Sequence, residues 1–182
     1  ATFSYGKMPK KELLGQGDFI TFSGYRYLDQ YPLSNCYNGD LIVVARGVGG
    51  TGDVKLVKKS CYLTNLSIQI KLDPKFASNL FVYYNYLNNG LRHLDSGSAQ
   101  SQITIDDLKR VKITLPPLKI QQHIESVLSS LDDKIELNRQ TNQTLEVMAQ
   151  TLFKEMCLPK GVILEDGWRV GKLGDVCTVN KN

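Results

Sequence analysis

Apolar positions in the last third of the chain recur at alternating steps of four and three. From Ile124 the series runs through Leu128, Leu131, Ile135, Asn138, Asn142, Leu145, Ala149, Leu152 and Met156. This is a heptad period held over about four heptads, and it predicts a coiled-coil helix rather than a one-sided surface helix. Pro116 and Pro117 suit a first turn, where a missing N–H costs nothing, and Leu158-Pro159-Lys160-Gly161 supplies a stop. Such a rod is roughly 60 Å long, so its seam needs a partner. Asn138 and Asn142 interrupt the seam near its midpoint. Buried asparagines in a seam fix register and strand number at a cost in stability. In an antiparallel homodimer Asn138 of one chain would face Asn142 of the other. The alternative is that both are solvated where the seam opens.

Ahead of the rod the pattern changes, and residues 1–115 read as a β-rich α/β domain. Phe19-Ile20-Thr21-Phe22 predicts a short strand ending at Ser23-Gly24. Leu41 to Ala45 predicts a buried strand after the turn signal Asn38-Gly39-Asp40. Val54 to Val57 and Ser67 to Ile70 predict two more. Asn79 to Leu91 has helical spacing, with Gly90 placed to stop it. Ser96 to Gln102 is a polar loop, Thr104 to Leu108 one capped turn, and Val111 to Leu115 a last strand leading into the rod. Beyond the rod, a loop over Gly161 to Trp168 leads to a small apolar element from Arg169 to Val179 that should dock on something.

At 182 residues the chain is one ordinary domain with an extension, or two small ones. No apolar run approaches a membrane span, and the N-terminus shows no signal peptide pattern. Cys36, Cys61, Cys157 and Cys177 are scattered without CxxC spacing, so they read as reduced thiols of a cytoplasmic protein. With His93 and His123 as the only histidines, no metal site is expected. Residues 1–115 carry 14 Lys/Arg against 9 Asp/Glu, whereas residues 116–182 carry 8 against 9. A basic domain on a near-neutral rod suggests a polyanion partner. On charge alone an ordinary solvated surface explains the same imbalance as well or better.

Candidate chemistry narrows the field. Gly47-Val48-Gly49-Gly50-Thr51-Gly52 matches GxGxxG after a strand, but the next residues, Asp53 to Ser60, alternate like another strand and open no helix. It is a Gly-rich hairpin and not a dinucleotide turn. Its glycines can let a backbone approach a phosphate, with Arg46, Lys55, Lys58 and Lys59 on its flanks. Asp73-Pro74-Lys75-Phe76 only grazes the Asp-Pro-Pro-Tyr loop of amino-methyltransferases, and Asp53-Val54-Lys55 lacks a second carboxylate for nuclease chemistry. No nucleophile–base spacing stands out, and the chain reads as non-catalytic. Ser23-Gly24-Tyr25-Arg26-Tyr27 sets an arginine between tyrosines just after a strand. Arginine reads guanine with two hydrogen bonds, and tyrosines stack or touch sugars and methyl groups. Lys7, Lys10 and Lys11 add phosphate-seeking charge. Tyrosines on short strands are also ordinary core residues.

Several stretches in order resemble the DNA-sequence specificity subunit of type I restriction–modification enzymes. They are Tyr5 to Lys11, Phe22 to Tyr25, Gly97 to Ile103, Leu115-Pro116-Pro117-Leu118 with Gln121-Gln122, and Trp168 with Lys172 to Val176. The resemblance implies a target-recognition domain over 1–115, a long spacer and dimerisation helix over 116–158, and a segment 159–182 that completes a recognition domain, its own or a partner's. Family members usually carry two recognition domains and two spacer helices. Here there is one of each, and joining Asn182 to Ala1 would give an unbroken domain start. The resemblance therefore implies a half subunit, whether natural, permuted or cut from a longer protein.

Its implied partners are double-stranded DNA and separate modification and restriction subunits, with no cofactor and no membrane. A homodimer through antiparallel helices would favour a palindromic bipartite site. Ser23, Tyr25, Arg26 and Tyr27 are then candidate base readers. Lys7, Lys10, Arg46, Lys58 and Lys59 are candidate phosphate contacts. Gln100 and Gln102 are either adenine readers or structural. Leu128, Leu131, Ile135, Asn138, Asn142, Leu145 and Leu152 form the dimerisation seam. Two other readings are a stand-alone dimeric coiled-coil DNA-binding regulator and the recognition part of a fused DNA methyltransferase. A structural dimer with a solvated basic face is a further one.

Overall fold

A computed structural model of the chain describes residues 1–24, 26–47, 50–87, 90–95, 101–157, 169 and 171–177. Its strands are β1 (Thr2–Tyr5), β2 (Phe19–Ser23), β3 (Arg26–Tyr31), β4 (Leu41–Val44), β5 (Val54–Leu56), β6 (Cys61–Leu63) and β7 (Ser67–Lys71). The helices are α1 (Asn79–Tyr86), α2 (Ile105–Arg110) and α3 (Leu118–Cys157). The chain divides into two units, Ala1–Leu131 and Asp132–Asn182.

In the first unit, β4 has no polar position because it is covered on both faces. Leu41 and Val43 enter one core with Ile68, Ile70, Phe81, Val82 and Leu108. Ile42 enters a second with Phe22, Cys36, Val57, Cys61 and Leu63. The first core lies between α1, α2 and an antiparallel sheet of order β1-β7-β4-β5. The second lies between that sheet and a smaller one of order β3-β2-β6, in which β2 is antiparallel to β3 and parallel to β6. The free edge of β6 is closed by the Asn35 side chain. Its Oδ1 accepts from the Leu63 N–H at 2.6 Å, and its Nδ2 donates to the Leu63 carbonyl at 3.0 Å.

The predicted strands at Phe19, Leu41, Val54 and Ser67 are β2, β4, β5 and β7. Three strands had no clear sequence signal: β1 and β6 are short, and β3 is exposed along all but its last residue. The helix expected to reach Leu91 ends at Tyr86, and Gly90, at φ +54°, closes it by donating to the Tyr86 carbonyl at 2.8 Å. Thr104 caps α2 reciprocally: its hydroxyl accepts from the Asp107 N–H while the Asp107 carboxylate accepts from the Thr104 N–H. Val111 to Leu115 is not a strand. Val111, Ile113 and Leu115 alternate because they pack directly on the first core, without a ladder partner.

The prolines expected in the first turn stand just ahead of α3, with the Pro117 carbonyl accepting from the Ile120 and Gln121 N–H groups. Ile124, where the heptad series begins, packs on the first unit's own core, and Leu128 is half-buried. The free seam therefore starts at Leu131. In the second unit, α3 residues 132–156 are exposed on every face, Ile135, Asn138, Asn142, Leu145 and Leu152 included. A 3₁₀ turn over Leu173–Asp175 comes after it. The Leu158-to-Gly161 stop and Trp168 lie outside the described residues. No described helix is long and apolar enough to cross a membrane.

Candidate nucleic-acid interface

Strand pairing places Ser23 opposite Arg26 across the β2–β3 hairpin. Gly24 opens its turn at φ +62°, and a Cβ there would stand 3.1 Å from the Arg46 carbonyl. Glycine thus serves both the left-handed backbone and the close approach of the hairpin tip to the end of β4. Arg46 bridges Gln102, whose N–H donates to Asp95 at 2.9 Å. The Lys7 N–H donates at 2.9 Å to the carbonyl of Leu63, which pairs with Phe22. Lys7, Ser23, Arg26, Arg46 and Gln102 therefore meet at one end of the domain, with Lys7, Arg26 and Arg46 exposed. Tyr25 and Gln100 lie outside the described residues.

The other candidates stand elsewhere. The Lys10 N–H donates to the hydroxyl of Tyr31, which pairs with Phe19 at the far end of β2. Lys58 and Lys59 lie in the turn between β5 and β6, on the wall of a cleft of about 760 Å³. Phe22 and Tyr27 line the cleft from the β2–β3 hairpin, and Lys55, Tyr83, Tyr86 and Arg92 also face it. Phe22 and Tyr27 meet edge-to-face at 5.5 Å, and the Lys55 ammonium lies 5.8 Å from the Phe22 ring centre. Arg92 donates through Nε and Nη2 to one Asp53 oxygen, at 3.2 and 2.9 Å. Arg92 carried no sequence signal, and Lys55 was visible only as a flank of the Gly-rich hairpin. Burial holds the Tyr86 hydroxyl above its ordinary pKa.

The described part of the Gly-rich hairpin turns inward. Gly50, Thr51 and Gly52 are buried, the Gly52 N–H donates to Val44, and its carbonyl accepts from Leu91 at 2.7 Å. A Cβ at Gly52 would meet the Arg92 backbone. Those glycines allow close packing, and the Gly52 amide is already used inside the fold. Among the described residues no three His, Cys, Asp or Glu side chains are grouped to hold a metal ion.

Residues 2–147 match the family model described as the type I restriction modification DNA specificity domain. The chain belongs to this family. It is 51% identical over 53 residues to the type I restriction enzyme HindI specificity subunit of Haemophilus influenzae, covering 29% of this chain and 12% of that protein. It is 32% identical over 118 residues to a putative type I restriction enzyme MjaX specificity subunit of Methanocaldococcus jannaschii, covering 63% and 27%. The fold matches the crystal structure of a type I restriction–modification S subunit from M. genitalium with a TM-score of 0.71. That match has 24% identity and covers 86% of this chain and 44% of that one. As a DNA specificity domain, the chain therefore spans less than half the length of these relatives.

Proposed function

We propose that this specificity domain reads one half of a bipartite site in double-stranded DNA, with the hairpin tip and the adjoining cleft as its interface. The observation that carries the reading is the seating of Gly24 against Arg46, which brings Arg26, at the start of β3, and Arg46, just past β4, to one exposed end. Arg26, with Ser23 and the neighbouring Tyr25 and Tyr27, reads base edges in the major groove. Arg46, Lys7, Lys58 and Lys59, joined by Lys55, hold phosphates. Lys10, at the far end of β2, is left as an outlying phosphate contact. Gln102 has its backbone tied to Arg46 and Asp95 and serves the shape of the tip.

The exposed seam of α3 takes a second helix of the same kind. In an assembly of two such chains it pairs antiparallel through Leu131, Ile135, Asn138, Asn142, Leu145 and Leu152, with Leu128 at its margin. Two recognition domains then stand a set distance apart and select two half-sites flanking an unread spacer. Methylation and cleavage belong to separate modification and restriction subunits, and this chain contributes recognition without catalysis. Selection from a randomised duplex pool by the full chain tests the proposal. The expected result is enrichment of two short half-sites at one spacing, with affinity falling steeply as salt rises. Absence of sequence enrichment, or affinity indifferent to salt, would overturn it.

A further inference from the structure

Among the described buried side chains of the first unit, the one with most hydrogen bonds lies at the start of α3, away from the hairpin tip. Gln121, in the first turn of α3, is 0% exposed. Its Oε1 accepts from the Ser78 N–H at 3.1 Å, and its Nε2 donates to the carbonyls of Phe76 at 2.9 Å and Pro116 at 2.8 Å. The three partners come from the turn ahead of α1, from the N-cap of α1 and from the segment leading into α3. The Asp73-Pro74-Lys75-Phe76 turn is what presents one of them: the Asp73 carbonyl accepts from the Phe76 and Ala77 N–H groups. Both donors of the amide are used, and its orientation is set by its partners, since Ser78 offers an N–H and the other two offer carbonyls.

Ile124 of α3, and Ile113 and Leu115 of the segment leading into it, also pack on the first core. Such contacts are non-directional and tolerate a small roll or slide of one surface on another. A planar amide bonded to three backbone groups does not. A helix with its first turn free to roll would need only apolar cover here. A buried polar network costs desolvation, and once fully bonded it holds one geometry.

We propose that Gln121 is a positioning residue that fixes how α3 leaves the recognition domain and thereby sets the half-site spacing that the protein accepts. This rests on the bipartite DNA-reading role proposed above. Each added base pair moves a half-site by about 3.4 Å and turns it by about 35° around the duplex axis. Only a stiff joint converts that displacement into discrimination, because a joint that rolls absorbs it. The hydrogen-bond partners of Gln121 are Phe76, Ser78 and Pro116 and not the proposed base readers, so its loss leaves half-site sequence intact while blurring spacing.

The test is pool selection with the full chain and with Gln121→Met and Gln121→Ser, using duplexes that carry the parent's half-sites at a series of spacer lengths. Gln121→Met keeps the volume and removes the bonds. Gln121→Ser leaves a polar space that water can fill, so it keeps the fold if Gln121→Met does not. Folding is checked by circular dichroism and half-site affinity on single half-site duplexes. The expected parent prefers one spacer by about tenfold or more over its neighbours, and the folded variants keep half-site affinity while that ratio drops to about threefold or less. A folded variant with the parent's spacer ratio would show that Gln121 only stabilises the fold, and would leave the DNA-reading role standing. A parent that enriches no bipartite site would sink that role, and the spacing role of Gln121 with it.

Discussion

At the scale of single residues, the cations separate by where the fold puts them. Arg26 stands at the hairpin tip, across from Ser23, whereas Lys58 lies on the cleft wall. Arg26→Ala should cost about 1–3 kcal/mol on the selected site and relax preference at one base pair. Lys58→Ala should weaken all duplexes alike and flatten the logarithmic salt slope by about 1. Fluorescence anisotropy on selected and unrelated duplexes at several salt concentrations separates the two. If Arg26→Ala weakened both duplexes equally, Arg26 would be one more phosphate contact. The thiols supply a second contrast. Cys36 and Cys61 are buried opposite one another, and a hydrogen bond to Cys61 with burial pushes the Cys36 thiol far above its ordinary range. Cys177 is exposed. Iodoacetamide should alkylate Cys177 in the folded chain and reach Cys36 only on unfolding, as peptide mass spectrometry would show.

At the scale of elements, turn chemistry predicts behaviour as well as boundaries. Hydrogen bonds from the Thr104 hydroxyl and N–H hold the Asp107 carboxyl below its ordinary pKa. A carboxylate whose pKa is lowered by folding contributes its stability in full above the unfolded value, and loses it as pH falls through the folded one. The α2 cap should therefore work at neutral pH and fade below the ordinary carboxylate range. Thr104→Ala should lower the melting temperature by about 2–4 °C at neutral pH, with the gap to the parent narrowing in strong acid. A gap that persisted unchanged at low pH would place the loss in packing rather than in the cap. Strands obeyed a different logic. β4 was legible because a strand covered on both faces is apolar throughout. β3 was not, because it is a polar flap held by its pairing with β2 and by Tyr31 alone among buried side chains.

At the scale of the whole molecule, the exposed seam of α3 is the feature that one chain by itself leaves uncovered. If two copies pair, light scattering should give twice the chain mass of 20.4 kDa. Asn138→Leu combined with Asn142→Leu should then change the oligomeric state or mix registers, because leucine at those positions removes the polar pair that selects one alignment. A parent that runs as a monomer would mean that the seam is filled by a different helix. A doubly substituted chain that stays a well-defined dimer would show that the asparagines do not set the register.

Much of this protein was determined locally. The heptad steps of α3, the buried run of β4, the Thr104 cap, the Gly90 stop and the ordered short motifs that mark the family all depend on residues near one another in the chain. Patterning and turn chemistry act at that range. What only the tertiary structure decided are the meetings across distance: Gly24 against Arg46, Lys7 against the end of β6, Arg92 facing the same cleft as Lys58. The segment Val111 to Leu115 shows the limit plainly, since its alternation signalled a strand and the fold used it as packing. Gln121 shows it again. Its neighbour Gln122 is exposed; the heptad series extended back from Ile124 puts Gln121 on the seam face, but a glutamine there gives no sign of being buried. Gln121 is buried because Phe76, 45 residues earlier, offers it a carbonyl that helix periodicity cannot foresee.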